Sequence, residues 1–249
     1  ICVLGNMLPI APTILALRSP FIKKLAAPLL KRAEKKLAAL PTGRGFSAHY
    51  GYWTGAEDHY SHQAPQTNGS YDFADDLHTC REVNGTYGNE LFVQRATKII
   101  EGRERQSRPF FLYLAFQNVH WPLQAPERYV KRFENSTDGN RARKYVAAMA
   151  SAADDGVGAV VSAVQRAGLE SSSLVVFLSD NGGPTNGNEG TWSSNYPLRG
   201  GKNTLWEGGI RVAAVAAGGE AADTGSAQLR CLRPRRARSP CGTHPPCRG

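Results

Sequence analysis

LVVFLSDNGGPTNGNEGTWSSNYPLRGGKNTLWEGGIR, residues Leu174 to Arg211, decides how the remaining sequence is read. It opens with an apolar run, Leu174 to Leu178, of the length and composition of a strand buried on both faces. The run breaks at Ser179, Asp180 and Asn181, after which Gly182 and Gly183 let the backbone turn sharply. A carboxylate beside an amide oxygen at a strand end is a hard-oxygen pair, suited to Ca²⁺ or Mg²⁺ rather than to zinc. In open α/β sheets, ligands bind at that end of the strand.

Upstream, Phe110 to Phe116 (FFLYLAF) repeats the pattern. It reads as a second buried strand whose polar residues, Gln117, Asn118 and His120, appear at its exit before Trp121 and Pro122. Between the two runs lies an alanine-rich helical pattern, Arg141 to Gly168, with Gly168 as C-cap. Strand, helix and strand make a βαβ unit, which implies parallel strands and a right-handed crossover. The expectation is an α/β fold with a largely parallel central sheet flanked by helices, and with His120 and Asp180 at the same edge of one sheet.

Farther out, Glu90 to Arg103 reads as an amphipathic helix with Leu91, Val93, Ala96, Ile99 and Ile100 on its inner face. Leu40 to His62 is dense in glycine and aromatics and reads as an ordered, irregular loop. The irregular spacing of His49, His59 and His62 favours hydrogen-bonded loop histidines over a metal set. Gly69 to Cys80 reads as a loop with an acidic patch, and Ile210 to Ala216 as another strand. Residues 1–39 differ in character, with an apolar stretch followed by a basic amphipathic helix read as a solvated segment. Charge follows the apolar run there, the reverse of a signal peptide, and no stable membrane span is expected. Residues 218–249 are rich in arginine and proline and poor in apolar residues, which leads to an expectation of disorder. The well-patterned domain is thus 40–217, and an opening Ile1 in place of methionine reads as a fragment.

The net charge of +9 does not mark a nucleic-acid binder. Residues 1–40 contribute +6 and residues 230–249 another +6, leaving 9 − 12 = −3 for the middle. Among the five cysteines there is no zinc spacing. Three sequons, at Asn68, Asn84 and Asn135, lie in polar stretches and favour a secreted or lysosomal glycoprotein.

The middle therefore offers a hard-metal pair (Asp180, Asn181), a histidine at a strand exit (His120) and a lysine in a glycine-rich loop (Lys202). A divalent cation with a lysine stabilises an oxyanion such as sulfate or phosphate, and a histidine can protonate a leaving oxygen. Singly, each residue is as ordinary as a turn, a structural histidine or a solvated lysine.

Together they sit in four segments, LPTGRGFSAHYGYWTGAEDHYSH, PFFLYLAFQNVHWPLQAPERY, FLSDNGG and PLRGGKNTLWEGGIR. In order and spacing these resemble the central part of the type I sulfatases, within the alkaline-phosphatase-like superfamily. They look most like the arylsulfatase B (N-acetylgalactosamine-4-sulfatase) group with arylsulfatases I and J. The resemblance implies Asp180 and Asn181 as two ligands of an active-site Ca²⁺. It implies His120 near the leaving-group or a sulfate oxygen, and Lys202 in contact with sulfate and leaving group. It also implies a sulfated carbohydrate or aryl sulfate substrate, and the formylglycine-generating enzyme as a partner of the full-length parent.

The family's paired-aspartate motif, its Cys-x-Pro-Ser-Arg motif with the cysteine that becomes formylglycine, and its Gly-Lys-Trp-His segment do not occur in residues 1–40. Neither Cys2 nor Cys80 lies in such a context. Without the nucleophile the covalent step cannot occur, so the chain as written is expected to be inactive. The alternatives are a non-catalytic sulfated-glycan-binding pseudoenzyme that kept the pocket, and a phosphatase or phosphodiesterase of the wider superfamily. The latter usually holds two metals with added histidine ligands, and no histidine sits beside Asp180.

Overall fold

The computed structural model describes the backbone of residues 2–3, and residues 37–103, 108–135, 139–185, 187 and 189–219. The readings of 4–36 as a basic helix and of 220–249 as a disordered tail lie outside the described residues. The chain forms two compact units, one of residues 1–173 with 189–192, the other of 174–188 with the residues from 193 on.

The first unit holds a five-stranded sheet. Its strands are β1 (Cys2–Val3), β2 (Ala48–Gly51), β5 (Ala74–Asp75), β6 (His78–Thr79) and β7 (Leu112–Tyr113), in the order β6-β5-β2-β1-β7. A separate ribbon pairs β3 (Gln63–Ala64) with β4 (Ser70–Tyr71). Helix α1 (Gly88–Glu101) packs on the sheet and against the long helix α3 (Arg141–Arg166), and the short α2 (Glu127–Val130) also meets α3. The inner face of α1 is the expected one: Leu91, Ala96 and Ile100 are buried, with Phe92 added and Val93 and Ile99 half-buried. Phe73, Leu91, Phe92 and Ala96 form one core cluster, and Ile100 with Ala163 and Val164 another.

Helix α3 begins at Asn140, whose side chain accepts a hydrogen bond from the Arg143 N–H at 3.0 Å and relieves an unpaired donor of the first turn. It ends as the sequence indicates. Gly168 takes φ +65°, its N–H bonds the Gln165 carbonyl at 2.9 Å, and the Leu169 N–H bonds that of Val164 at 3.0 Å, a Schellman closure. By length and composition α3 is apolar enough to cross a membrane, while one face of it, Ala148, Met149, Ala152 and Ala163 among its residues, is buried in this unit.

Several expectations change. Residues 48–51 are a strand within the stretch read as irregular, and 70–79 holds three short strands where a loop was expected. The 110–116 run is not buried on both faces: Leu112, Leu114 and Phe116 pack inward, while Phe111 and Tyr113 are exposed. The second unit pairs β8 (Leu174–Leu178) with β9 (Ala214–Gly218), antiparallel and in full register from Leu174↔Gly218 to Leu178↔Ala214. Its last strand thus starts later than read, because Glu207–Ile210 forms the short helix α4. β8 is also not a doubly buried strand, since Leu174, Val176, Phe177 and Leu178 are exposed. The α/β class holds, yet every strand pair among the described residues is antiparallel. The strands before His120 and before Asp180 lie in different sheets, so the expected βαβ step does not join them. The physical reason is that β7 takes β1 as its neighbour and β8 takes β9, leaving β8 with one hydrogen-bonded partner and neither face covered among the described residues.

Gly156 lets α3 approach α1 closely. A Cβ there would stand 2.8 Å from Val93 Cγ2 and 3.5 Å from both Asn89 Nδ2 and Phe116 Cζ. Gly156→Leu should therefore destabilise the first unit by ~1–3 kcal/mol through overpacking, read as a lower thermal midpoint by circular dichroism. An unchanged midpoint would show that this helix contact has slack.

Candidate active site

In the second unit the chain leaves β8 through Ser179 and turns at once. The Ser179 hydroxyl donates to the Asn181 carbonyl at 2.8 Å, and the Asn181 N–H donates to Asp180 Oδ1 at 2.8 Å. The Asn181 side-chain amide donates to the Gly182 carbonyl at 3.1 Å, so its Oδ1 is the atom a cation would take. Asp180 is exposed and Asn181 half-buried.

What holds this turn is backbone against backbone. The Gly182 N–H bonds the Gly209 carbonyl at 3.0 Å, the Lys202 N–H bonds the Gly183 carbonyl at 3.1 Å, and the Gly208 N–H bonds the Arg199 carbonyl at 2.8 Å. A side chain at Gly182 would overlap the Gly208 carbonyl, and one at Gly208 would overlap the backbone of Gly200 and stand 2.7 Å from the Arg199 carbonyl. Asn195 buckles the loops together. Its Oδ1 accepts from the Gly183 N–H at 2.9 Å, and its Nδ2 donates to the carbonyls of Gly183 at 2.9 Å and Gly200 at 3.1 Å. Arg199 lies over the Trp206 ring, 3.6 Å from its centroid. Asp180, Asn181 and Lys202, far apart in sequence, are thereby tied through one set of main-chain bonds.

His120 belongs to the first unit. Its N–H bonds the Gln117 carbonyl at 2.7 Å and its Nδ1 lies 2.7 Å from the Trp121 carbonyl. Because a carbonyl only accepts, Nδ1 carries the hydrogen, and Nε2, 4.0 Å from a Glu189 carboxylate oxygen, is the nitrogen that can take or give a proton.

The loop carrying His120 is fastened to residues 57–59. Gln117 Nε2 donates to the Glu57 carbonyl at 2.6 Å, the His59 N–H to Gln124 Oε1 at 2.8 Å, and Gln124 Nε2 to Asp58 Oδ2 at 2.6 Å. Asn118 Nδ2 reaches the Met149 carbonyl of α3 at 2.7 Å. Beneath lies the fully buried pair Glu57–His62, 2.9 Å apart. Burial pushes Glu57 up to about 7, against the hydrogen bond and charge of His62, and burial pulls His59 and His49 down to about 4. Burial also pushes Asp58 up, but hydrogen bonds from Ser61, Gln124 and Tyr60 outweigh it and leave this carboxyl below its ordinary value. The sequence singles out the three histidines as loop residues, of which His49 lies in β2, and places Gln117 at a strand exit, but gives no signal for Glu57, Gln124 or Asn195, whose partners lie elsewhere in the chain.

The Sulfatase family model matches residues 21–228, wider than the 40–217 read from the motifs. The chain belongs to the sulfatase family. Arylsulfatase J of Mus musculus is 40% identical over 177 residues, 70% of this chain and 28% of that protein. N-acetylgalactosamine-6-sulfatase of Mus musculus is 32% identical over 127 residues, 51% of this chain and 23% of that protein. Arylsulfatase A of Homo sapiens is 33% identical over 125 residues, 50% and 23% of the two chains. The chain thus spans about a quarter of the length of the curated relatives it matches. The crystal structure of Ps i-CgsB in complex with k-i-k-neocarrahexaose superposes with TM-score 0.64 and 29% identity, over 74% of this chain and 42% of that one.

Sulfatases bind a divalent metal. Among the described residues no group of three or more His, Cys, Asp or Glu side chains converges to hold one. Asp180 and Asn181 fit a hard cation in kind and fall short in number, since Ca²⁺ takes about six to eight oxygens.

Two tests follow from this geometry. Asn195→Ala leaves the Gly183 N–H without its partner, and the Gly183 carbonyl with the Lys202 N–H alone, at a cost of ~1–3 kcal/mol, so amide exchange at Gly183 should accelerate by roughly ten- to a hundredfold while α1 and α3 keep their protection; uniform protection everywhere would deny Asn195 this role. The second concerns acid. Histidines held below 6.5 contribute stability that is full above pH 6.5 and is lost as pH falls through about 4, whereas raised Glu57 has the opposite sign, full below 4.5 and lost as pH rises through about 7. His49 and His59 outnumber Glu57, so the thermal midpoint should fall from pH 6.5 to 4 and Glu57→Gln should steepen the fall; Asp58, held below its ordinary value, adds its loss only at lower pH. A midpoint that rises on acidification contradicts this.

Proposed function

We propose that this chain is the central part of a sulfuric ester hydrolase acting on sulfate esters of glycosaminoglycan or aryl type. The observation that carries the reading is the family match across 21–228, which takes in all four motifs and with them His120, Asp180, Asn181 and Lys202. Asp180 and Asn181 would hold two coordination positions of one Ca²⁺, whose bound charge draws sulfate oxygens. Lys202, its backbone pinned to the Gly183 carbonyl, sets an ammonium against the developing oxyanion. His120, with Nδ1 committed to the Trp121 carbonyl, delivers a proton from Nε2 to the departing alcohol oxygen.

The attacking group is missing from these 249 residues, which carry no Cys-x-Pro-Ser-Arg. Cys80 cannot replace it: it is buried at 6% exposure, its thiol points to the His78 carbonyl, and burial raises its pKa. That observation also supports the second reading, a pseudoenzyme that binds sulfated glycans without cleaving them. The asparagines of the three sequons, Asn68, Asn84 and Asn135, are exposed, as glycan acceptors need to be. They support passage through the secretory pathway, to the lysosome or outside the cell, where the formylglycine-generating enzyme would modify a longer parent.

The purified 249-residue chain should not turn over an aryl sulfate. A longer product with Cys-x-Pro-Ser-Arg in frame with Leu40 should do so, and His120→Ala or Lys202→Ala in it should lower kcat/KM roughly a hundredfold or more. Turnover by the 249-residue chain would refute the missing nucleophile, unchanged rates in the variants would remove these roles, and an upstream region without the motif would favour the glycan-binding reading.

A further inference from the structure

Both peptide planes that flank the Cα of His120 are held from outside. On one side the His120 N–H bonds the Gln117 carbonyl at 2.7 Å. On the other, the His59 ring is hydrogen-bonded to the His120 main chain in the sense that favours a proton on the ring, so the ring donates and the carbonyl accepts. His59 Nε2 is buried with no hydrogen-bond partner, which leaves Nδ1 as the donor. Peptide units are planar, so fixing both planes fixes φ and ψ of His120 and, with them, the direction of its Cα–Cβ bond. The second plane is also the one from which the Trp121 carbonyl, partner of His120 Nδ1, continues.

His59 is itself held rigidly. It is buried, and its ring is stacked on Tyr87 with centroids 5.3 Å apart and planes at 20°. Its carbonyl accepts from the N–H of Gly88, the first residue of α1, at 2.8 Å. The Tyr87 hydroxyl donates to the Gln124 carbonyl at 3.0 Å and accepts from Asn118 Nδ2 at 3.2 Å. The stacked pair therefore meets the 118–124 segment at its beginning, at His120 and at its end. Burial, opposed by the bond to His120 and by the charge of Asp58, keeps the His59 ring neutral down to about 4. The pair thus presents a fixed donor and no competing charge when His120 carries its proton.

We propose that His59, backed by the Tyr87 ring, is a positioning residue for His120: it fixes the backbone from which His120 aims Nε2 at the departing oxygen. The proposal rests on the reading of His120 as the proton donor, so its first readout needs no turnover.

Long-range ¹H–¹⁵N spectra of the histidine rings in the 249-residue chain report the His120 tautomer. Wild type should show the Nδ1–H form, and so should His59→Asn, whose amide keeps an N–H donor near the Nδ1 position. His59→Leu, of similar bulk and without a donor, should lose that single form to a mixture, while amide protection in α1 and α3 persists. Tyr87→Phe, which keeps the stack and drops the hydroxyl, should shift the ring in the same direction and replaces His59→Leu if the latter does not fold. In a longer parent with Cys-x-Pro-Ser-Arg, His59→Leu should lower kcat roughly ten- to a hundredfold with little change in KM, and His59→Asn should restore most of it. An unchanged His120 ring in the folded variant, or His59→Asn as impaired as His59→Leu, overturns the proposal. A displaced His120 ring in a parent whose turnover survives His120→Ala upholds the contact and overturns the proton-donor reading, which tells the two failures apart.

Discussion

The second unit rests on contact between main chains with no side chain in between. Gly182 meets Gly208 so closely that a single methyl on either would overlap the other strand of backbone or its neighbours. That approach lets the Gly182 N–H reach the Gly209 carbonyl and the Lys202 N–H reach the Gly183 carbonyl, which sets the metal-type turn and the lysine loop in one frame. Asn195 reinforces the frame with both its donor and acceptor atoms. The backbones that carry Asp180, Asn181 and Lys202 are therefore held by main-chain bonds.

The first unit solves the same problem by another route. His120 sits on an irregular exit from β7, and irregular backbone needs external partners. Gln117, Asn118 and Gln124 supply them, tying the exit to residues 57–59 and to the Met149 carbonyl of α3. Under that contact lies Glu57 with His62, buried and ionisable, in a core otherwise built of aromatics and alanines. A buried pair of this kind costs desolvation, and what it gives here is a fixed anchor for the segment that presents His120.

Sequence and structure agree where the physics is local. The periodicity of α1, the extent of α3 with its Gly168 end, the β8 strand and the polar turn after it were all legible, because each depends on residues within a few positions of one another. Burial of β8 and of the 110–116 run was misjudged, since an apolar run states that a face can be buried and not that something covers it. The same limit applies to strand direction. Alternation and composition show which residues form strands, and the choice of neighbour and direction is made by hydrogen bonds to residues distant in the chain.

By itself the sequence determined the family and the four motifs, because side-chain chemistry and spacing are written in one dimension. Only the tertiary structure decided that Asp180, Asn181 and Lys202 share one backbone frame, that the segment carrying His120 is held by Glu57, Gln117 and Gln124, and that the His49 ring is stacked on Trp53. The first two arrangements come from contacts across tens of residues, and no local pattern along the chain encodes a partner that far away.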